Sequence, residues 1–128
     1  MNPRLLCIAA ALGLSAVALG AFGAHGLRAR VEPDLLGVWR TAVDYQMVHT
    51  LALLALATVP AVGDRPTVRF ACRGFILGIL LFSGSLYLLV LSGRSWLGAL
   101  TPLGGLCLMA GWGALGVHGW RAGHGLRR

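Results

Sequence analysis

The chain has 128 residues, 57% of them hydrophobic and 12% charged, with a mean hydropathy of +0.77. A soluble domain carries about twice that share of charge, so the composition excludes an ordinary water-soluble fold. The net charge of +7 comes from eleven arginines and no lysine against four acids. These arginines flank apolar runs and do not line a face with interleaved aromatics, which excludes a nucleic-acid-binding module.

The first apolar run covers residues 5–24. About 20 mostly apolar residues cross a bilayer as a helix. Arg4 and Ala21-Phe22-Gly23-Ala24 give this run a faint likeness to a signal peptide. Its apolar stretch exceeds the roughly 7–15 residues of such a segment, so a retained helix is expected. Pro33 and Asp34 then mark a helix start, the first by its fixed φ and the second by its charge at the positive end of the dipole. From Leu35 this helix runs into a second span over residues 42–62. Its first turns mix Leu35, Leu36, Val38 and Trp39 with Arg40 and Asp44, which predicts an interface-lying or protruding segment. Arg40 and Asp44 are four apart and can pair on one face. The third span covers residues 73–91 and the fourth residues 96–117. Trp96 opens the fourth and Trp120 follows it, about 36 Å apart along a helix, so they mark opposite interfaces. Pro102 is either an N-terminal residue of that helix or a kink. Cys7, Cys72 and Cys107 form no paired motif and read as small packing residues, not as disulfides or metal ligands.

Backbone groups in lipid must be satisfied within each segment, and strand-type alternation is absent, so the four spans are predicted to be helices. The expected fold is all-α, an integral membrane four-helix bundle forming a single domain with three short loops. Four crossings place both termini on one side. That side carries Arg4, Arg65, Arg69, Arg73, Arg121, Arg127 and Arg128; the other carries Arg28, Arg30, Arg40 and Arg94. The excess of positive charge predicts both termini in the cytoplasm, in the inner (plasma) membrane.

Small residues recur at Ala9, Gly13, Ala16, Gly20 and Ala24, on one face of the first span. Gly74 and Gly78 form a G-x-x-x-G, and Gly104, Gly105 and Gly111 crowd the fourth span. Such residues let helix backbones approach closely. Close packing within one bundle is the favoured reading, and a seam between identical copies is the other.

A handful of polar side chains lie inside the spans, where they are costly and face the bundle interior. By topology His25, Tyr45, His49, Ser83, Ser85, Tyr87 and Thr101 converge on the non-cytoplasmic half, and the other half holds little beyond the Trp112 indole. The plainest reading is a hydrogen-bond network that locks the helices. The sharper readings are a haem or metal site using the two histidines, a quinone headgroup or small-solute vestibule, and a proton-coupled transporter using Asp44. A histidine pair without an acid or cysteine partner is a weak metal signal, so no metal or cofactor is expected. No nucleophile–base–orienter set and no phosphate loop occur, so the chain is not expected to be an enzyme.

Several motifs carry a family resemblance. Gly20-Ala21-Phe22-Gly23-Ala24-His25-Gly26-Leu27 is followed by Trp39-Arg40-Thr41-Ala42 with Tyr45, Gln46 and His49. Ser83-Gly84-Ser85-Leu86-Tyr87 with Gly93 comes next, then Thr101-Pro102-Leu103-Gly104-Gly105 with Gly111-Trp112. In this order the chain resembles the domain of unknown function 423 family, the YgdD/YwdK-like and transmembrane protein 256-like small membrane proteins. The resemblance runs from about Gly20 to Trp112 and does not extend to the tail after Val117. It implies a four-helix inner-membrane protein without an assigned activity. It also implies that His25, Tyr45, His49, Ser85, Tyr87 and Thr101 belong to a shared design. The expected role is a structural or accessory membrane component, with the bilayer and a membrane-protein partner or second copy as associates. A binding or transport protein is the alternative.

Overall fold

The computed structural model describes residues 1–59 and 65–125. Among these, four long helices account for most of the chain: α1 (Pro3–Ala21), α2 (Pro33–Thr58), α3 (Pro66–Ser92) and α4 (Thr101–Gly125). Proline opens α1, α2 and α3, where its missing N–H costs no helical bond. Pro102 sits in the first turn of α4, so it starts that helix and does not kink it. Asn2 caps α1 by accepting the Leu5 amide at 3.1 Å, and its own amide reaches the Ala57 carbonyl at 2.8 Å. At the end of α3, Gly93 adopts φ 68°, a left-handed conformation that glycine takes without a Cβ penalty. A 3₁₀ turn, Ser95–Ala99, carries the exposed Trp96 and leads into α4.

α1 packs on α2, α2 on α3 and α3 on α4 as antiparallel neighbours. The start of α1 and the end of α4 therefore lie at one end of the bundle, the terminal end, and the α1–α2 and α3–α4 connections at the other, the loop end. Leu5, Ala9, Leu53, Ala57, Val68, Cys72, Phe75, Ile79 and Leu108 form the core nearer the terminal end. Leu27, Leu36, Trp39 and Val90 form a second core at the loop end. Trp39 is 1% exposed, so the turns predicted to lie at the interface belong to the packed bundle. Leu36 and Trp39 turn inward and Leu35 and Val38 are half-buried, while Asp34, Gly37, Arg40, Thr41 and Asp44 stay exposed.

Three segments are long and apolar enough to cross a membrane: Pro3–Leu27, Pro66–Ser92 and Ser95–His124. The second predicted span is not among them, and part of it, residues 60–62, lies outside the described residues. Its helix, α2, starts at Pro33 as predicted, but Asp44, Gln46, His49 and Thr50 at its middle lower its hydropathy. Gln46, His49 and Thr50 are buried, so the most polar helix turns those groups away from its surroundings. The outer surfaces of α1 and α4 are correspondingly apolar, with Leu14, Val17, Leu103, Leu106 and Met109 all exposed.

Glycine sets the α3–α4 contact. A Cβ at Gly74 would lie 2.9 Å from the Cys107 carbonyl oxygen, and one at Gly78 would lie 2.6 Å from Leu108 Cγ. From the other side, a Cβ at Gly104 would lie 2.7 Å from the Phe82 Cα, and one at Gly111 would lie 2.6 Å from Phe75 Cε1. Gly105 is looser, at 3.8 Å from the Phe82 ring. Gly13 and Gly20 face α2, within ordinary contact of Thr50 and Val43. Ala24 is exposed; Gly23, one residue earlier, is the buried member of that face.

Candidate functional site

The buried polar groups form three sets of contacts, and Gln46 is the hub of the largest. It is 3% exposed on α2. Its amide nitrogen donates to the Leu12 carbonyl and to the Ser15 hydroxyl of α1, both at 2.8 Å. Its amide oxygen accepts the Tyr87 hydroxyl of α3 at 2.9 Å. One side chain thus joins three helices. Nearby, Ser83 donates to the Ala42 carbonyl at 2.7 Å, a second α3–α2 tie. Towards the loop end, the Trp39 indole N–H reaches the Leu19 carbonyl at 2.8 Å. That carbonyl lies just before a π-helical turn, Phe22–Leu27. The wider turn is a common device for re-aiming backbone groups. Gly23 is required there, since a Cβ would meet Trp39 Cδ1 at 2.5 Å. Trp39 in turn packs tilted against Tyr87 at 4.7 Å and edge-on to Phe22 at 5.7 Å.

The second set centres on His49, which is 5% exposed. Trp112 Nε1 donates to His49 Nε2 at 3.0 Å, and His49 Nδ1 lies 2.7 Å from the Tyr45 carbonyl. An indole N–H only donates, so Nε2 must carry the lone pair and Nδ1 the proton. The imidazole is therefore neutral, with both nitrogens engaged. Phe75 packs against both rings, and Tyr45 stacks on Phe82 at 4.3 Å. The third set is the Ser85–Thr101 hydroxyl pair at 2.9 Å, which ties α3 to the start of α4; Ser85 also donates to the Phe82 carbonyl.

The predicted cluster is thus divided. Tyr87 and Ser83 lie with the Gln46 set, Tyr45 with His49, and Ser85 with Thr101. His25 joins none of them: it is exposed in the π-helical turn at the end of α1. The topological estimate aligned it by depth alone, and the helix face turns it outward. Gln46, His49 and Trp112 lie near the midpoints of their helices, so these contacts sit at mid-bundle. Gln46 and Trp39 were not predicted as polar anchors. A usable signal was the spacing of Trp39, Ala42, Gln46, Thr50, Leu53 and Ala57, which marks one face of α2. Thr50 is buried there with its hydroxyl unpartnered.

Between α2 and α4 lies a cleft of about 380 Å³ lined by Tyr45, His49, Phe82, Gly105, Leu108, Met109 and Trp112. A smaller hollow of about 150 Å³ shares Tyr45 and His49 and adds Asp44 and Val48. All three cysteines are free, with Cys72 buried and Cys7 exposed. Among the described residues no group of three or more His, Cys, Asp or Glu is placed to hold a metal ion.

Comparison with known proteins places this architecture among relatives. The chain is 41% identical over 112 residues to UPF0382 membrane protein SAB0533 of Staphylococcus aureus, covering 85% of this chain and 89% of that one. It is 44% identical over 103 residues to UPF0382 membrane protein YwdK of Bacillus subtilis, covering 77% and 81%. It is 44% identical over 114 residues to UPF0382 membrane protein C1782.12c of Schizosaccharomyces pombe, covering 84% and 94%. No solved structure matches. The sequence pattern described as protein of unknown function (DUF423) matches residues 19–105, a stretch that holds Trp39, Gln46, His49, Tyr87 and Thr101. With relatives this similar over most of its length, the chain belongs to the DUF423 family, a family of uncharacterised membrane proteins.

Proposed function

We propose that this protein is a non-enzymatic structural or accessory component of the plasma membrane, crossing it four times with both termini in the cytoplasm. The observation that carries the reading is the use made of its buried polar groups. Gln46, Ser83 and Trp39 direct their donors at neighbouring helices, and His49 accepts the Trp112 indole N–H of α4, which is how polar side chains join helices in lipid. Haem or metal ligation by His49 Nε2 would first have to break the Trp112 bond. α2 counts as the fourth crossing because its buried Gln46, His49 and Thr50 are shielded by α1, α3 and α4. The arginine excess at the terminal end supports the orientation.

An absorption spectrum and metal analysis of the full chain in mild detergent test the role. No Soret band and no stoichiometric metal are expected; finding either overturns the structural reading. His49→Gln should keep the fold, because a glutamine can donate to the Tyr45 carbonyl and accept from Trp112. Accessibility mapping of tags at the two ends tests the orientation, and ends on opposite faces would refute it.

A further inference from the structure

α3 begins and α4 finishes at the terminal end of the bundle, and a cavity of about 350 Å³ lies between them. Arg65, Pro66, Thr67, His118, Arg121 and Ala122 line it. The Thr67 hydroxyl lies 3.2 Å from His118 Nδ1, a polar contact that joins the two helices at the cavity wall. Arg65, just before α3, and Arg121, within α4, are both exposed. A guanidinium offers N–H donors and no acceptor, so the two cannot satisfy each other and repel. The described lining residues include no acid. Glu32 and Asp34 stand at the loop end, Asp44 near the middle of α2, and Asp64 lies outside the described residues. Exposed Arg69, one turn along α3, adds to the positive charge. The dipole of α3 favours an anion here and that of α4 opposes it, each by about half an elementary charge, so the arginines decide the sign. The position selects among anions. Pro66 opens one segment long and apolar enough to cross a membrane and His124 closes another, so the cavity lies at a span edge. Trp120, beside Arg121, is 65% exposed there, and indoles favour headgroup depth. Pro66 and Ala122 give the cavity an apolar side as well. Inorganic phosphate answers only the guanidiniums, whereas a phospholipid brings a phosphate to them and a glycerol and acyl root to the apolar side. A zwitterionic headgroup would set its ammonium against the same arginines. The volume falls in the range of small-molecule sites.

We propose that the α3–α4 cavity at the terminal end binds the headgroup phosphate of an anionic phospholipid, held between Arg65 and Arg121. Such a site adds a lipid ligand to the structural role and works in either orientation of the chain. Phosphatidylglycerol is titrated into the full chain in neutral detergent, and native mass spectrometry counts the lipids bound. One lipid per chain is expected to bind ahead of the rest, and more tightly than phosphatidylcholine with the same acyl chains. Arg65→Gln and Arg121→Gln should each weaken it by roughly fivefold, the contribution of one arginine at an anionic surface. Arg69→Gln removes the same charge from outside the cavity and should leave this binding nearly unchanged. Melting curves of each variant verify that the bundle is intact; should one cavity variant unfold, the other variant and the phosphatidylcholine comparison on the unaltered chain decide. The proposal is overturned if phosphatidylcholine binds as tightly, or if neither cavity variant weakens binding. It is also overturned if Arg69→Gln weakens binding as much as they do, since the attraction is then diffuse. Displacement of the lipid by inorganic phosphate at equal concentration overturns it too, because the site then takes a free anion.

Discussion

Gln46 holds more of this bundle together than any other polar side chain. Replacing it by leucine strands the Tyr87 hydroxyl and removes both ties to α1. A buried group left without a partner costs about 1–3 kcal/mol, and membrane interiors trim this because the loosened state also finds partners. Gln46→Leu should therefore lower stability by about 1–2 kcal/mol, measured by thermal or denaturant unfolding in detergent. In a double-mutant cycle with Tyr87→Phe the two losses should be less than additive, since they remove one shared bond. Additive losses would mean that the Gln46–Tyr87 bond carries no energy. Gln46 was within reach of the sequence, as it falls on the Trp39-to-Ala57 stripe of α2. Its partners were not, because two of its three bonds go to α1 and the sequence does not set the rotation of α1 against α2.

Among the helices, the α3–α4 pair depends on absent side chains. Gly104 and Gly113 are two glycines of one helix with opposite surroundings. A Cβ at Gly104 would collide with the backbone of Phe82, whereas Gly113 faces open space. Gly104→Ala should destabilise the bundle by about 1–3 kcal/mol through overpacking. Gly113→Ala should be neutral or stabilise by up to about 1 kcal/mol, as alanine is the better helix former. Unfolding midpoints of the two variants check this, and similar midpoints would contradict the packing described. The π-helical turn is the other element-scale feature. Gly23 clears space for the Trp39 indole and Gly26 for the Phe22 ring. The glycines of that motif were visible in the sequence, but the Trp39 indole lying over Gly23 became evident only once α2 was folded beside α1.

The whole molecule presents its four tryptophans at distinct depths. Trp39 is buried, Trp112 sits half-exposed near the middle of α4, and Trp96 and Trp120 are exposed towards its two ends. In single-tryptophan variants reconstituted with brominated lipids, Trp96 and Trp120 should be quenched best by bromines near the headgroups. Trp112 should be quenched best by bromines deep in the acyl chains, and Trp39 hardly at all. Equal quenching at all four positions would contradict a transmembrane α4. The sequence by itself determined that the chain is helical, membrane-embedded and built on close glycine contacts, because hydropathy, helix period and missing side chains are local properties. It also marked Tyr45, His49, Ser83, Ser85, Tyr87 and Thr101 as residues of interest. Only the tertiary structure decided that they divide among separate contacts, that His25 faces outward and that Trp39 lies in the core. Each of these depends on how one helix is rotated against another, which is set by the packing of all four together.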